Sequence, residues 1–367
     1  MIDIPISKLW IDEEVHERVR QVLDSGMVAQ GPQVAELERL VSEITGARHS
    51  IAVNNGTTAL VLALEVLDLE PGDEVITTPF TFAATLNAII ESGATARFVD
   101  VDDDLLLDPA GIAGALTEKT KVVLPVHLYG QMADMNGITE ALGTRDDVVI
   151  LEDAAQSIGA RFGDRGAGSY GLGTFSMYAT KNVGSGEGGV VTTNDEVLAD
   201  RMRILRNQGM KARYEYVVPG HNYRLTDLQA AVAIPQLLKI EEISRRRSAN
   251  AAALSEGLAG IQGLGLPTAR ANDLHVWNQY TIRLDESARL NRNELATELE
   301  SAGIASGVYY PRVVFDYDCY RNHPLVVVED VPRAFKATQE VLSLPVHPLL
   351  TTEQVKKVIA TVRELLS

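Results

Sequence analysis

Short apolar segments of β type alternate with segments of helical type through the first half of the chain, and this alternation limits the possible folds most strongly. The β-type runs cover residues 50–53, 74–78, 96–99, 121–126, 148–151 and 189–193, and helical patterns cover residues 12–23, 32–45, 59–69, 82–92 and 135–142. Buried strands joined by helices are typical of a mainly parallel sheet with both faces covered. We therefore predict an α/β fold whose ligand lies at the carboxyl ends of the strands.

The chain is too long for one simple compact unit. It has 367 residues, of which 46% are hydrophobic, so one large and one smaller domain are expected. We predict a large α/β domain with an N-terminal helical arm at residues 1–235, and a linker helix with a small C-terminal α+β domain at residues 236–367. The linker helix is expected at residues 236–257, with Arg245–Arg247 on its solvated face, and strands are expected near residues 280–284 and 306–310.

Charge and cysteine content exclude several classes of protein. The formal net charge of −17 argues against binding to nucleic acid or to an anionic membrane surface. Cys319 is the only cysteine, so no intrachain disulfide can form and a reducing compartment suits the chain. The N-terminal residues have no basic region followed by an apolar core, and no apolar run reaches the length of a membrane span. We expect a cytoplasmic protein.

Lys181 follows a short β-type run, and Asp153 lies about one βα unit before it. Pyridoxal phosphate (PLP) acts as an electron sink when a lysine holds its carbonyl carbon as an imine and a carboxylate keeps its ring nitrogen protonated. Taken as an isolated pair, a solvated lysine and a helix-capping aspartate would be the more ordinary interpretation. The other residues of the constellation favour PLP.

A phosphate site is predicted where the strand at 50–53 turns into a helix. At residues 55–58 the backbone N–H groups, the helix dipole and the hydroxyls of Thr57 and Thr58 converge, although a threonine there could also act only as a helix cap. Residues 184–189, GSGEGG, match the dinucleotide-binding pattern in letters but precede a strand, so we predict no Rossmann site. These glycines instead leave room for backbone to pass close to a cofactor.

Phe82 begins a predicted helix, where its ring could lie flat on a pyridine ring, although an aromatic residue at such a position is more often part of the core. The histidines are scattered and none has the spacing of a metal site, so no metal is predicted.

Many ordered motifs resemble those of one family. They are NGTTAL at 55–60, PGDEV at 71–75, TFAATLNA at 81–88, VHLYGQ at 126–131, EDAAQ at 152–156, TKN at 180–182 with EGG at 187–189, GHNYRLTDLQAA at 220–231 and LSLP at 342–345. The chain resembles the DegT-like (DegT/StrS type) sugar aminotransferases over essentially its whole length. These are PLP-dependent enzymes of fold type I that act on nucleotide-linked keto sugars.

The resemblance implies a role for each matching residue. Lys181 would form the imine with PLP, Asp153 would pair with the protonated ring nitrogen, and Gln156 and Phe82 would flank the ring. The phosphate would be held by Thr57, Thr58 and Ser176. Asn222 would reach the phosphate of the neighbouring subunit, which makes a homodimer with shared active sites the expected working unit.

The implied reaction is a transamination in two halves. An amino acid, L-glutamate by resemblance, would leave its amino group on the cofactor as pyridoxamine phosphate (PMP), and a nucleotide-linked 3-keto or 4-keto hexose would receive it. Lys181 would be both the covalent anchor and the general acid and base. Residues 312–320 depart from the Pro-Leu-His type segment of many relatives, so no substrate contact is carried over from that region.

Three alternatives remain. A cyclitol ketone could replace the sugar. PMP-dependent sugar dehydratases carry a histidine where this chain has Lys181. A PLP-binding regulator without turnover is possible because fold does not fix function, but the intact set of Lys181, Asp153 and Gln156 argues against it.

Overall fold

A computed structural model describes residues 2–367 of the chain. Its strands are β1 (His49–Val53), β2 (Glu74–Thr77), β3 (Thr95–Phe98), β4 (Thr120–Leu124), β5 (Val149–Asp153), β6 (Arg161–Phe162), β7 (Arg165–Gly166), β8 (Leu172–Ser176), β9 (Gly189–Thr193), β10 (Met210–Ala212), β11 (Glu215–Tyr216), β12 (Leu264–Gly265), β13 (Tyr280–Leu284) and β14 (Val341–Leu344). Its α-helices are α1 (Glu13–Ser25), α2 (Pro32–Thr45), α3 (Gly56–Glu65), α4 (Ala83–Glu91), α5 (Pro109–Ala115), α6 (Met135–Leu142), α7 (Glu196–Arg206), α8 (Asp227–Leu238), α9 (Ile240–Leu258), α10 (Arg292–Ser301), α11 (Asp318–Arg321), α12 (Pro332–Glu340) and α13 (Thr352–Leu366).

The central sheet has the strand order β1-β9-β8-β5-β4-β2-β3. The pairs β2–β3, β2–β4, β4–β5 and β5–β8 are parallel, and β9 is antiparallel to both of its neighbours. The predicted α/β fold with a mainly parallel sheet is therefore confirmed. Because β1 and β8 both run opposite to β9, the carboxyl ends of β1, β5 and β8 lie at the same edge of the sheet.

The GSGEGG run leads into β9 and does not open a helix. This placement agrees with the prediction that it is not a dinucleotide-binding turn. Gly189 is in close contact with the turn after β1, because a Cβ there would lie 2.2 Å from the Asn55 carbonyl oxygen. Glycine at this position lets β9 pass the residues that begin α3.

A second hydrophobic core lies apart from the one around the central sheet. It is built from β13, β14 and the helices α9, α10 and α13, with Tyr280, Ile282 and Leu344 fully buried. Ile4 belongs to this second core, although it precedes α1, and its backbone N–H bonds to the Gly303 carbonyl at 3.0 Å. Residues 313–315 pack on the first core. The domain boundary at 235/236 stays a prediction.

Three predictions about the C-terminal part were wrong. The predicted helix at 236–257 is broken at Lys239, where α8 ends and α9 begins. Residues 306–310 form no strand, and only an isolated bridge joins Gly307 to Ser343. Arg247 is 3% exposed rather than solvated, because its guanidinium donates to the carbonyls of Trp277 and Asn278 at 2.9 and 3.3 Å. Arg245 and Arg246 do lie on the surface, where both bind Glu242.

Across residues 2–367, no helix has both the length and the apolar character needed to cross a membrane.

Candidate active site

A cleft of about 900 Å³ opens at the carboxyl edge of the central sheet. Its walls come from the starts of α3 and α4, the ends of β5 and β8, the loop after β8, and residues 309–310. The cleft brings together most of the predicted site residues, namely Thr57, Thr58, Phe82, Asp153, Gln156, Ser176 and Lys181. Asn222 does not line it.

Lys181 lies in the loop between β8 and β9 and is half-buried. A turn bond from its N–H to the Tyr178 carbonyl, at 2.9 Å, fixes its backbone. Burial lowers the pKa of the Lys181 ammonium to about 8, and the negative charge of Asp153 opposes this shift. About a tenth of this lysine is therefore the neutral, nucleophilic amine at pH 7, far more than for a lysine with the ordinary pKa.

Asp153 is the last residue of β5, and its side chain is 5% exposed. Its Oδ2 accepts a hydrogen bond from the Thr85 hydroxyl at 2.8 Å, and its Oδ1 accepts one from the Ala155 N–H at 3.2 Å. Burial raises the pKa of Asp153, whereas these two donors and the charge of Lys181 act in the opposite direction. The result is a buried carboxylate that faces the cleft and is suited to holding a positive ring nitrogen.

The amide of Gln156 has a fixed orientation. Its Oε1 accepts from the Tyr129 N–H at 2.7 Å, so its NH₂ points the other way, with Nε2 3.4 Å from the Tyr310 hydroxyl. The Tyr129 hydroxyl in turn donates to the Tyr309 carbonyl. These bonds connect the loop after β4 to residues 309–310, which form the far wall of the cleft.

His127 lines the cleft in a fixed tautomer. Its Nδ1 accepts from the Ala133 N–H at 3.1 Å, so Nε2 carries the proton and donates to Glu152 at 2.9 Å. Glu152 is fully buried and also accepts the N–H groups of Gly168 and Tyr170 at 2.8 and 2.7 Å. The imidazole is therefore a neutral wall of the cleft.

The beginning of α3 forms the proposed phosphate end of the cleft. Asn55 is the helix cap, and its side-chain oxygen accepts from the Thr58 N–H at 2.8 Å. The hydroxyls of Thr57 and Thr58 are thus not the caps of this helix. Gly56 lies against β8 so closely that an added Cβ would be 2.7 Å from the Ser176 Cβ. This contact brings the Ser176 hydroxyl next to the N-terminal N–H groups of α3.

Phe82 occupies the cap position of α4 and is 61% exposed, so it is not the core residue that its position would more often indicate. Its ring centre lies 6.1 Å from that of Tyr310, at an interplanar angle of 35°. An exposed aromatic face inside a concave site is available to a flat ligand.

Asn222 is exposed and forms an isolated antiparallel bridge with Asn207. The next residue, Tyr223, does line the cleft. The proposed contact of Asn222 with a neighbouring subunit stays a prediction.

The residues present fit PLP. The cofactor has an aldehyde, a basic ring nitrogen and a phosphate, and the cleft offers an amine of lowered pKa, a buried carboxylate and a helix N-terminus with hydroxyls. Glycine at position 56 lets the start of α3 approach the Ser176 hydroxyl, because an added Cβ would lie 2.7 Å from the Ser176 Cβ.

Comparison with known proteins identifies the family. Residues 10–363 match the DegT/DnrJ/EryC1/StrS aminotransferase family. The chain belongs to this family. The aminotransferase class, the PLP cofactor and the type I fold predicted from the sequence are confirmed by this membership and by the solved structures of the same fold.

Two relatives in the family are aminotransferases named for sugar substrates. The chain is 39% identical to the dTDP-3-amino-3,4,6-trideoxy-alpha-D-glucose transaminase of Streptomyces venezuelae, over 99% of this chain and 95% of that protein. It is 37% identical to the UDP-N-acetyl-3-dehydro-alpha-D-glucosamine 3-aminotransferase of Acidithiobacillus ferrooxidans, over 100% and 97%. The crystal structure of S. venezuelae DesV in complex with a ketimine intermediate matches with a TM-score of 0.90 and 38% identity, over 96% of this chain and 94% of that one.

Several residues of the site were not singled out in the sequence. His127, Tyr309 and Tyr310 line the cleft, and Thr85 donates to Asp153 from behind it. Thr85 and His127 fall inside the matched segments at 81–88 and 126–131, but nothing in those segments distinguishes them from their neighbours, and their contacts exist only in the tertiary structure.

Proposed function

We propose that this chain transfers the amino group of L-glutamate to the ketone carbon of a nucleotide-linked keto sugar. The observation that carries the proposal is the approach of Lys181 and Asp153 to each other in a cleft whose phosphate end is the start of α3. The named relatives favour a 3-keto hexose over a 4-keto hexose as acceptor.

Lys181 has two tasks in this proposal. Its amine would hold the cofactor covalently between reactions. After the donor amino acid has displaced it, the same amine would take the proton from the donor's α-carbon and deliver it to the cofactor carbon that bore the aldehyde. Bound PLP supplies the electron sink that makes this carbon acidic. With the pKa of Lys181 at about 8, the amine is near the best value for moving a proton in both directions at neutral pH.

Asp153 keeps a proton on the ring nitrogen of the cofactor. Its carboxylate is buried, so its attraction for a positive partner is weakened little by water. Gln156 and Phe82 would contact the ring from the loop after β5 and the cap of α4, and their hydrogen bonding and exposure support these positions.

The size of the cleft supports a large acceptor. Its volume of about 900 Å³ is near the upper end of ordinary ligand sites, so a cofactor and part of a sugar nucleotide can be held together. A small keto acid alone would leave much of this space to water.

The charge of the cleft supports a site completed by a second subunit. Among the described residues that line it, Glu91, Asp153 and Glu187 are acidic, and Lys181 is the only lysine or arginine. The cofactor phosphate, glutamate and a sugar nucleotide are all anionic, so further cations have to come from outside this wall.

The β10–β11 hairpin is a suitable source of these cations. It exposes Lys211 and Arg213 beside Tyr214 and Tyr216, whose exposed fractions are 72% and 61%. Large exposed aromatic residues next to basic ones favour burial against a second copy. We therefore propose a homodimer with shared active sites.

The first experiment separates the donor from the acceptor. The PLP-loaded protein is incubated with L-glutamate alone, and we expect release of one 2-oxoglutarate per site together with loss of the visible cofactor band. Addition of a dTDP- or UDP-linked 3-keto hexose should then give the amino sugar, detected by mass, and restore the band.

The remaining outcomes select among the alternatives. Amination of a 4-keto sugar or of a cyclitol ketone would keep the donor and replace the acceptor. A PLP-bound protein that releases no keto acid with any amino acid would contradict the transaminase proposal and favour a regulator.

A further inference from the structure

Two buried hydroxyls lie in a row behind Asp153. The Thr85 hydroxyl is 2.8 Å from Asp153 Oδ2, and the Thr81 hydroxyl is 2.8 Å from that of Thr85. Thr85 is 0% exposed and Thr81 is 3% exposed, so water does not replace either bond. Thr81 also lines the cleft, whereas Thr85 lies behind it.

The direction of each bond follows from the proton count. A hydroxyl has one proton, and an ionised carboxylate can only accept, so Thr85 uses its proton on Asp153. Thr85 therefore receives its second bond from Thr81, which must be the donor. Each bond in such a chain polarises the next and strengthens it.

We propose that Thr85, supported by Thr81, is a positioning residue that keeps Asp153 ionised and aimed at the cofactor ring. The inference rests on the proposed role of Asp153. Neither threonine contacts the reacting carbon in this proposal, and both act through the carboxylate.

The charges that face Asp153 leave a role for the Thr81–Thr85 hydroxyl chain in keeping the carboxylate ionised. Lys181 from the loop after β8 is positive at low pH, but its pKa of about 8 means that the attraction fades as the pH rises above that value. His127 from the loop after β4 is held neutral by its bonds to Ala133 and Glu152. Tyr310 stays a neutral phenol, because burial raises its pKa. Below a pH of about 8 the Lys181 ammonium therefore adds to the Thr85 hydroxyl and the Ala155 N–H in stabilising the carboxylate, and above it these two donors remain.

The test measures PLP affinity of the apoprotein as a function of pH. Thr85→Val keeps the shape of the side chain and removes the donor, and a hydrogen bond to a buried charge is strong enough that PLP should bind about 10- to 100-fold more weakly at pH 7. The hydroxyl stabilises the ionised form, so its loss raises the pKa of Asp153. PLP affinity falls as the pH is lowered far enough to protonate Asp153, and we call this part of the profile the acid limb. The midpoint of the acid limb should therefore move to higher pH.

Rescue and a matched control separate this role from a loss of packing. Thr85→Ser restores a hydroxyl and should return both the affinity and the acid limb to the parent values. Thr77→Val removes a hydroxyl that is equally buried but donates to the Leu124 carbonyl at 2.8 Å. It should lower the melting temperature without moving the acid limb.

Two further variants decide the remaining outcomes. Thr81→Val should shift the acid limb in the same direction by a smaller amount, and it provides the test if Thr85→Val does not fold. In the Asp153→Asn background, Thr85→Val should change PLP affinity little, because the charge it serves is gone.

The two proposals fail in different ways. If Asp153→Asn keeps both the PLP affinity and the transamination rate of the parent, the assigned role of Asp153 is wrong. If Asp153→Asn binds weakly while folded Thr85→Val and Thr81→Val keep the parent affinity and acid limb, the hydroxyl chain has no positioning role.

Discussion

Lys181 lies between two opposing influences, and their balance sets its reactivity. Burial favours the neutral amine, and the Asp153 carboxylate favours the ammonium, with a resulting pKa of about 8 instead of the ordinary 10.5. The lysine can then attack an aldehyde near neutral pH and still return as a proton donor. Neither full burial nor full exposure would permit both.

This balance predicts the pH dependence of cofactor capture. Only the neutral amine attacks PLP, so the rate at which apoprotein forms the visible cofactor band should rise with pH around a midpoint near 8. In Asp153→Asn the midpoint should fall, because the anion that favours the ammonium is removed. Stopped-flow absorbance measures both, with Lys181→Ala as the control that forms no such band. A midpoint near 10.5 in the parent protein would contradict the assignment.

Lys181 and Asp153 could be singled out in the sequence because each residue type has one dominant use in this chemistry, and both line the cleft. Thr85 and Tyr310 could not be found in the same way, since threonine and tyrosine are common in cores and strands. Their significance comes only from the tertiary contacts with Asp153 and Gln156. Arg247 was assigned to the surface for the same reason, because its backbone carbonyl partners lie about 30 residues away in the chain.

The start of α3 is the element on which the proposed phosphate end of the site depends. Asn55 satisfies the Thr58 N–H, so the helix is capped without using either threonine hydroxyl. Gly56 then brings this turn against Ser176 of β8. The capping asparagine, the two threonines and the serine thus lie together in one structural unit. The threonine hydroxyls are not needed for the cap.

Gly56→Ala tests this unit. The added Cβ would lie 2.7 Å from the Ser176 Cβ, so the turn or the strand must move. We expect a loss of about 1–3 kcal/mol in the free energy of unfolding. PLP binding should weaken by at least about tenfold, equivalent to about 1.4 kcal/mol.

The matched control is Gly114→Ala in α5, where an added Cβ meets nothing within 4 Å. It should stabilise the protein by about 0.4–1 kcal/mol without altering PLP affinity. Chemical denaturation and equilibrium dialysis provide the two readouts. Equal PLP affinity for Gly56→Ala and the parent would remove α3 from the proposed phosphate site.

The elements of the large sheet were predicted better than those that follow them. β9 and α6 have the predicted bounds, because turn residues flank strongly patterned segments. The break at Lys239 was missed because the helical pattern of α8 continues into α9 with no glycine or proline at the junction. Residues 306–310 have the composition of a strand, yet only Gly307 pairs with the small sheet.

At the scale of the whole molecule, two features bear on the proposed homodimer. The cleft has an acidic wall, and the β10–β11 hairpin exposes basic and aromatic residues. A dimer would account for both features. The predicted contact of Asn222 with the neighbouring phosphate belongs to the same arrangement.

Mixed dimers test whether sites are shared. Lys181→Ala should be inactive. Asn222→Asp should have low activity, because its carboxylate would repel a phosphate across the interface. Co-expression of the two variants leaves one intact site in each mixed dimer, so activity should recover to about a quarter of the parent value. Light scattering establishes the mass, and Asn222→Gln serves as the neutral control. A mixture no more active than the average of its components would contradict shared sites.

The backbone of residues 3–4 bonds to the Gly303 carbonyl, and Ile4 fills a place in the C-terminal core. This segment leaves the ribosome long before its partners are made, so its contact with them can form only after residue 304 has been synthesised. The small core is then closed by a contact of very long sequence separation, which is slow to form and exposes apolar surface until it does. Substitutions at residues 3–5 should lower the yield of folded enzyme more than the distance of these residues from the cleft suggests.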